Sequence, residues 1–128
     1  MIAVWTPPYF SSRWCMAEWE SMLQRQVFLA NHGIVQAQGL VLPIVFSDGK
    51  NFDPRAKNTQ AINLSSLTYP YDAFRENGKY LDLDDRVRSI AEDIEARLDN
   101  SPDWHPDFPI ANPDTVVLQD APMKLPRL

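Results

Sequence analysis

Apolar residues along the chain form two short continuous runs, separated by stretches in which they recur at helical spacing. The runs at residues 2–5 and 39–46 are of the kind that forms strands buried in a parallel sheet, and an Asp48-Gly49 turn closes the second. Pro43 lacks the N–H that a central strand uses, so we expect the second strand near a sheet edge or locally broken. A weaker apolar stretch at residues 61–64 predicts a short third strand.

Two stretches have apolar residues spaced by three and four, which gives a helix one apolar face. The first begins after two serines at residues 11–12, either of which can cap it, and ends at residues 32–33. The second follows Asp82 and Asp84, which are capping candidates, and ends before Asn100. The apolar positions are Cys15, Trp19, Met22, Leu23, Val27 and Ala30 in the first helix and Leu83, Val87, Ile90, Ala91, Ile94 and Leu98 in the second.

The predicted order of elements is strand, helix, strand, weak strand, helix. This alternation is expected of an α/β domain in which helices flank a parallel sheet. These elements make about half of an ordinary doubly wound sheet, and the first buried strand begins at residue 2. The chain therefore has the pattern of the second half of a domain. We expect a partial sheet of this kind to expose an unpaired edge and an uncovered apolar face.

Proline is concentrated at the C-terminal end, where six of the eleven prolines fall in residues 101–128. Proline interrupts helices and ladders, and this region has no period of 2 or 3.6 residues. We therefore predict a domain at residues 1–100 and a poorly structured Pro-rich tail at 101–128. Trp104, Phe108 and Ile110 are the side chains that can dock this tail on the domain surface.

Composition narrows the classes of function. The 128 residues fit one domain, and 12 Lys and Arg against 17 Asp and Glu provide no basic face for nucleic acid or for an anionic membrane. We expect no signal peptide or membrane span at the start of the chain, because residues 1–5 lack a basic region and Pro7-Pro8 interrupts the apolar run. Cys15 is the single cysteine, and with His32 and His105 it cannot build a structural zinc site. We expect no metal, no nucleic-acid or membrane partner, and a cytoplasmic location.

The segment with the most chemical information joins the first strand to the first helix. Ligands of open α/β sheets bind at such a position. Residues 6–19 follow the pattern T-P-x-Y-x-x-S-x-W-C-x-x-E-W. This closely resembles the motif of the Toll/interleukin-1 receptor (TIR) domain family, in which Ser-Pro-x-Tyr leads to Ser-x-Trp-Cys-x-x-Glu. Every spacing matches, and Thr6 replaces the usual serine. The run at 40–46 resembles the next TIR strand more weakly, so the likeness covers residues 1–98 and is architectural after residue 46.

The resemblance implies the C-terminal portion of a TIR domain of the bacterial or plant-like NAD-cleaving type. The fold would be a partial flavodoxin-like sheet that lacks its N-terminal strands and helices. Glu18 occupies the position of the catalytic glutamate that cleaves the nicotinamide–ribose bond of NAD⁺. The family also implies that Trp14 stacks on a base or on nicotinamide, and Tyr9 and Ser11 are placed at the pocket mouth. NAD⁺ would be the substrate, with no cofactor, in a signalling or defence protein that acts through homotypic TIR association.

Simpler explanations of the same residues stay open. Glu18 lies at the rim of the apolar stripe, so it is either exposed to water or paired with Arg25 or with a segment outside the chain. Trp14 can equally anchor the start of the helix against the sheet, and buried packing is the simpler role for Cys15. Many TIR domains are adaptors, so a non-enzymatic self-association module in signal transduction is the alternative function.

Overall fold

The computed structural model describes residues 1–47, 52–68, 74 and 76–118. Three strands form one parallel sheet in the order β1-β2-β3, which makes the fold a mixed α/β arrangement, as the order of apolar runs predicts. The strands are β1 (Ile2–Trp5), β2 (Leu42–Val45) and β3 (Ile62–Asn63), and the helices are α1 (Pro7–Ser11), α2 (Arg13–Asn31), α3 (Pro54–Lys57) and α4 (Lys79–Asp99), with a 3₁₀ turn at Pro113–Thr115.

The central strand is β2, which pairs with β1 on one side and with β3 on the other. The expectation that Pro43 marks an edge strand or a break is therefore wrong. The N–H groups of Leu42 and Phe46 donate to the carbonyls of Met1, directly before β1, and of Trp5 in β1. Since backbone N–H groups alternate in direction along a strand, the backbone nitrogen of Pro43 is directed toward β3. Because β3 begins only opposite Ile44, the missing N–H of Pro43 costs no ladder hydrogen bond.

Two short helices, α1 and α3, are additional to the predicted elements. Each begins with a proline directly after a residue type that caps helices, in the dipeptides Thr6-Pro7 and Asp53-Pro54. Asp53 accepts a hydrogen bond from the Arg55 backbone N–H at 2.8 Å. Proline suits the first helical position because the N–H it lacks has no partner within the helix. Both dipeptides are thus readable start signals.

The two predicted helices are present as α2 and α4, with differences at their ends and faces. Helix α4 begins at Lys79, ahead of the predicted caps Asp82 and Asp84, because the Asn77 side chain accepts from the Lys79 N–H at 3.2 Å. In α2, Val27 belongs to the predicted apolar stripe but is 61% exposed. The C-terminal end of α2 lies where the His32-Gly33 signal predicts, with Gly33 at a φ of 79°.

The two faces of the sheet bury different cores. Trp5 and Ala3 of β1 point to the face covered by α1 and α2, whereas Ile2 and Val4 point to the face of α4 and are 51% and 48% exposed. Helix α4 packs on β2 and β3, so the uncovered apolar face expected from the sequence is present on β1. The first core consists of Ala3, Trp5, Phe10, Met16, Trp19, Val41, Phe52 and Ala56, and the second of Leu42, Ile44, Leu64 and Ile90.

The described part of the predicted tail, residues 101–118, contains the 3₁₀ turn and otherwise irregular backbone. Of the three candidate docking side chains, Phe108 contacts the Phe28 ring of α2 at 5.6 Å, while Trp104 and Ile110 are 78% and 80% exposed. The remainder of that tail, residues 119–128, and the predicted Asp48-Gly49 turn lie outside the described residues.

Candidate functional site

The TIR-like segment folds as a strand end, a short helix and the start of a long helix. Ser12 has an extended backbone, with φ of −94° and ψ of 117°, which separates α1 from α2. Its Oγ accepts a hydrogen bond from the Cys15 N–H at 3.3 Å, so Ser12 rather than Ser11 caps α2. Ser11 ends α1, and its Oγ donates to the Pro7 carbonyl at 3.5 Å. The segment thus presents the first turns of α2 at the carboxyl end of β1.

Trp14 and Glu18 lie one turn apart near the start of α2, and both are exposed. Trp14 is 72% exposed, which excludes the alternative in which it anchors the helix against the sheet. Glu18 forms no ion pair with any residue that the structure describes. Arg25, its suggested partner, donates from Nε to the Pro109 carbonyl at 3.2 Å. An indole and a carboxylate are therefore both available to a ligand on this surface.

Tyr9 is the third predicted site residue that lies in this region. Its ring is half-buried against Phe10, and its hydroxyl is buried without a hydrogen-bond partner among the described residues. Burial raises the pKa of Tyr9 to about 12, and the charges of Cys15 and Glu18 add to the increase. Tyr9 therefore stays protonated to a higher pH than an exposed tyrosine does.

Aromatic packing beneath this surface holds the start of α2 on the sheet. Trp5 lies 5.5 Å from both Phe10 and Trp19 and 6.1 Å from Phe52, measured between ring centres. Aromatic pairs at these distances contribute about 0.5–1.5 kcal/mol each beyond the area they bury. The helix that carries Trp14 and Glu18 is thus anchored through its opposite side, which fixes where these two side chains emerge.

A charged cluster that the sequence pattern does not predict joins another side of α2 to the start of α3. The Arg55 guanidinium is 5.0 Å from the Trp19 ring centre, 2.8 Å from Glu20 and 3.2 Å from the buried Asp53. Its hydrogen bond to Asp53 is the main cause that raises the pKa of Arg55, and Glu20 adds to it against the opposing effect of burial. Because Glu20 is 35 positions away in sequence, only the Asp53-Pro54-Arg55 start of α3 could have been found locally.

The clefts among the described residues lie away from the TIR-like segment. A cleft of about 680 Å³ lies at the amino ends of β1 and β2, lined mainly by apolar side chains such as Ile2, Leu42 and Leu98. Another, of about 580 Å³, lies between α2, α3 and residues 110–117. Neither of these two clefts is lined by Tyr9, Trp14 or Glu18, and Trp14 and Glu18 lie on an exposed surface.

The described residues contain no group of three or more side chains that could together hold a metal ion. Within the same part of the chain, no helix combines the length and the apolar character needed to cross a membrane.

No protein-family model matches the chain, and no curated protein or solved structure shows significant similarity to it. The likeness to TIR domains therefore depends on the residues of the chain itself, chiefly residues 6–19. A TIR-type function is accordingly a proposal.

Proposed function

We propose that the chain is part of a TIR-type NAD⁺ glycohydrolase that cleaves the nicotinamide–ribose bond. The observation that carries this proposal is the grouping of three predicted site residues at the carboxyl end of β1. Glu18 is exposed one helical turn after Trp14, and Tyr9 lies on the short helix α1 directly before α2. A carboxylate and an aromatic face supply the chemistry that binding and cleaving a nucleotide glycosidic bond needs.

In the proposed reaction, the bond between C1′ of the ribose and the nicotinamide nitrogen breaks, and its electron pair leaves with nicotinamide. Positive charge develops on the ribose in an oxocarbenium-like transition state, which the Glu18 carboxylate stabilises. Water then adds to C1′ and loses a proton to Glu18 or to solvent, which gives ADP-ribose. Capture by the adenine instead of water gives a cyclised product. One carboxylate suffices because nicotinamide is already a good leaving group.

The other site residues bind rather than react. Trp14 stacks on nicotinamide or adenine, which fits its 72% exposure. Tyr9 lies at the mouth of the proposed site, and its buried hydroxyl has no hydrogen-bond partner among the described residues. Ser11 lies at the rim, where its hydroxyl is held by the Pro7 carbonyl. NAD⁺ is the substrate in this proposal, and no additional cofactor takes part.

The wider setting proposed for the chain follows the TIR resemblance. The three parallel strands are the second half of a flavodoxin-like sheet, and homotypic TIR association completes the site. The single cysteine favours a reducing, cytoplasmic location, in a signalling or defence protein.

The second candidate is a non-enzymatic TIR adaptor. Exposed apolar side chains favour it, since Ile2 and Val4 on β1 are about half exposed and Trp14 on α2 is 72% exposed. Exposed apolar patches of this kind mark surfaces that associate with other proteins. In the adaptor, Glu18 is an ordinary exposed glutamate.

Nicotinamide release from NAD⁺ tests the enzyme directly, measured by chromatography at high protein concentration. We expect release by the wild-type chain and a rate at least about 100-fold lower for Glu18→Gln, because the variant loses the charge that stabilises the transition state. The matched control is Glu95→Gln, an exposed glutamate on α4. Equal rates in wild type and Glu18→Gln contradict the proposal. No release at concentrations where sedimentation shows self-association favours the adaptor.

A further inference from the structure

Residues 105–118, here called the strap, run along α2 in the opposite direction to the helix. His105 lies 5.3 Å from the Phe28 ring, the Pro109 carbonyl accepts from Arg25 Nε at 3.2 Å, and the Ala111 N–H donates to Ser21 Oγ at 2.9 Å. Residue numbers in the strap therefore increase as those of the contacted α2 residues decrease, so the two segments are antiparallel. Beyond these contacts, Val116 and Leu118 pack against the first core.

Ser21 is the polar centre of this contact. Its side chain is buried, its Oγ donates to the Ala17 carbonyl at 2.7 Å, and the same oxygen accepts from the strap. A serine in the interior of a helix has no need of a second partner to keep the helix intact. Its second hydrogen bond instead satisfies a main-chain N–H of an irregular segment, which fixes the register of the strap on α2.

The strap is bound in the manner of a peptide ligand. Its main chain contributes the Ala111 N–H and the Pro109 carbonyl. The Phe108 ring contacts the Phe28 ring edge to face, and the Arg25 guanidinium is 5.5 Å from its centre. Pro109 limits the conformations the strap loses on docking, which lowers the entropic cost. Its outward residues take no part, since Ile110 and Val117 are 80% and 81% exposed.

The connection to the strap is short and irregular. Helix α4 ends at Asp99, and residues 100–104 lead to the strap without regular structure beyond the final turn of the helix. An element joined in this way can dock on its own chain or on an identical chain, because every contact is the same in both arrangements.

We propose that the α2 face formed by Ser21, Arg25 and Phe28 is a docking site for the strap of a second copy of this chain. In the monomer the site is filled by the chain's own strap, and reciprocal exchange of straps gives a dimer in which the same hydrogen bonds re-form. The proposal is independent of NAD⁺ cleavage, because it uses none of the residues assigned to that site.

A labelled peptide with the sequence of residues 103–118 tests this site on the full-length chain. In Ala111→Pro the chain's own strap loses its N–H donor, while the α2 face is unchanged. We expect this variant to bind the wild-type peptide about 10-fold more tightly than the wild-type chain does, which corresponds to the loss of one hydrogen bond in the competing strap. Adding Ser21→Ala should remove the gain, whereas adding Ser89→Ala, at an exposed position on α4, should retain it.

Phe108→Ala is the second variant that loosens the chain's own strap, in case proline at position 111 disturbs folding. Hydrogen exchange of the strap amides reports its release in either variant, and light scattering with mixed labelled copies reports exchange between chains. Concentration-dependent dimers that share both labels support the proposal. If strap amides exchange freely in both variants but neither binds the peptide, or if Ser21→Ala leaves peptide binding unchanged, the α2 face is not an independent docking site.

Discussion

The two faces of the small sheet differ in what covers them and in how they are filled. On the α2 face, three aromatic rings from α1, α2 and the segment before α3 surround Trp5 of β1. On the α4 face, the core is aliphatic and centres on Ile44 and Ile90, and β1 contributes nothing to it. Adjacent residues of one strand therefore have opposite environments, with Trp5 1% exposed and Val4 48% exposed.

This difference indicates that packing on the α2 face contributes more to the stability of the fold than packing on the α4 face. The helix that presents Glu18 packs on the aromatic face, which has the larger of the two cores and also carries the docked strap. The aliphatic face holds α4 through a few residues near Ile90, and α4 adds ion pairs between exposed residues such as Asp84 and Arg88. Such exposed pairs contribute little to stability. We therefore expect substitutions on the two faces to have unequal effects.

The largest effect is expected at the centre of the aromatic face. Trp19→Ala removes a ring that is 1% exposed and leaves a cavity beside Trp5 and Phe10, so the free energy of unfolding should fall by about 3–5 kcal/mol in urea titration. The matched control is Trp14→Ala on the same helix, which should change it by no more than about 0.5 kcal/mol. Similar losses in the two variants would show that the aromatic face is not the main core.

A smaller loss is expected on the aliphatic face. Ile90→Ala should lower the free energy of unfolding by about 2 kcal/mol, at the low end for buried isoleucine, because the neighbouring cluster is small and can partly close over the cavity. Val87→Ala, half exposed on the same helix, is the control and should have little effect. A loss equal to that of Trp19→Ala would remove the distinction between the two faces.

Substitution of Tyr9 is expected to change the free energy of unfolding least at neutral pH. It should have a separate effect on stability at alkaline pH. Its pKa is raised from 10 in the unfolded chain to about 12 in the fold, so the fold favours the protonated form. This contribution is fully present below pH 10 and is lost as pH rises through 12. Tyr9→Phe should leave stability at pH 7 unchanged or raise it by up to about 1 kcal/mol, since the hydroxyl has no partner among the described residues.

The measurement is urea titration from pH 7 to 12. The decline in stability between pH 10 and 12 should be shallower in Tyr9→Phe than in wild type, while Tyr80→Phe, at an exposed position on α4, retains the wild-type profile. An identical alkaline decline in all three proteins would contradict the assigned environment of Tyr9.

Local signals account for much of the fold. The apolar runs predict β1 and β2, the three-and-four spacing predicts α2 and α4, and the dipeptides Thr6-Pro7 and Asp53-Pro54 carry the start signals of α1 and α3. The central position of β2 was not predictable from Pro43, because it depends on how far β3 extends. Pairing between strands is a long-range property that no local window contains.

The candidate site likewise has some features that local sequence predicts and others that depend on contacts between distant residues. The motif spacing predicts that Trp14 and Glu18 share one side of α2, which needs only helical geometry. It does not predict that the Tyr9 hydroxyl is buried, because that depends on the α1 turn before Ser12. Nor does it predict the Arg55 cluster on Trp19 or the strap on Ser21, which bring together residues far apart in sequence.

The four tryptophans are divided evenly between the interior and the solvent, and this gives the protein two kinds of built-in fluorophore. Trp5 and Trp19 are each 1% exposed, whereas Trp14 and Trp104 are 72% and 78% exposed. A small aqueous quencher therefore reaches only the second pair in the folded chain. Trp14 stands in the candidate nucleotide site, and Trp104 directly precedes the strap. Emission from the quenchable pair thus offers a readout for the proposed ligand binding and strap release, while the protected pair reports unfolding of the aromatic core, without any added label.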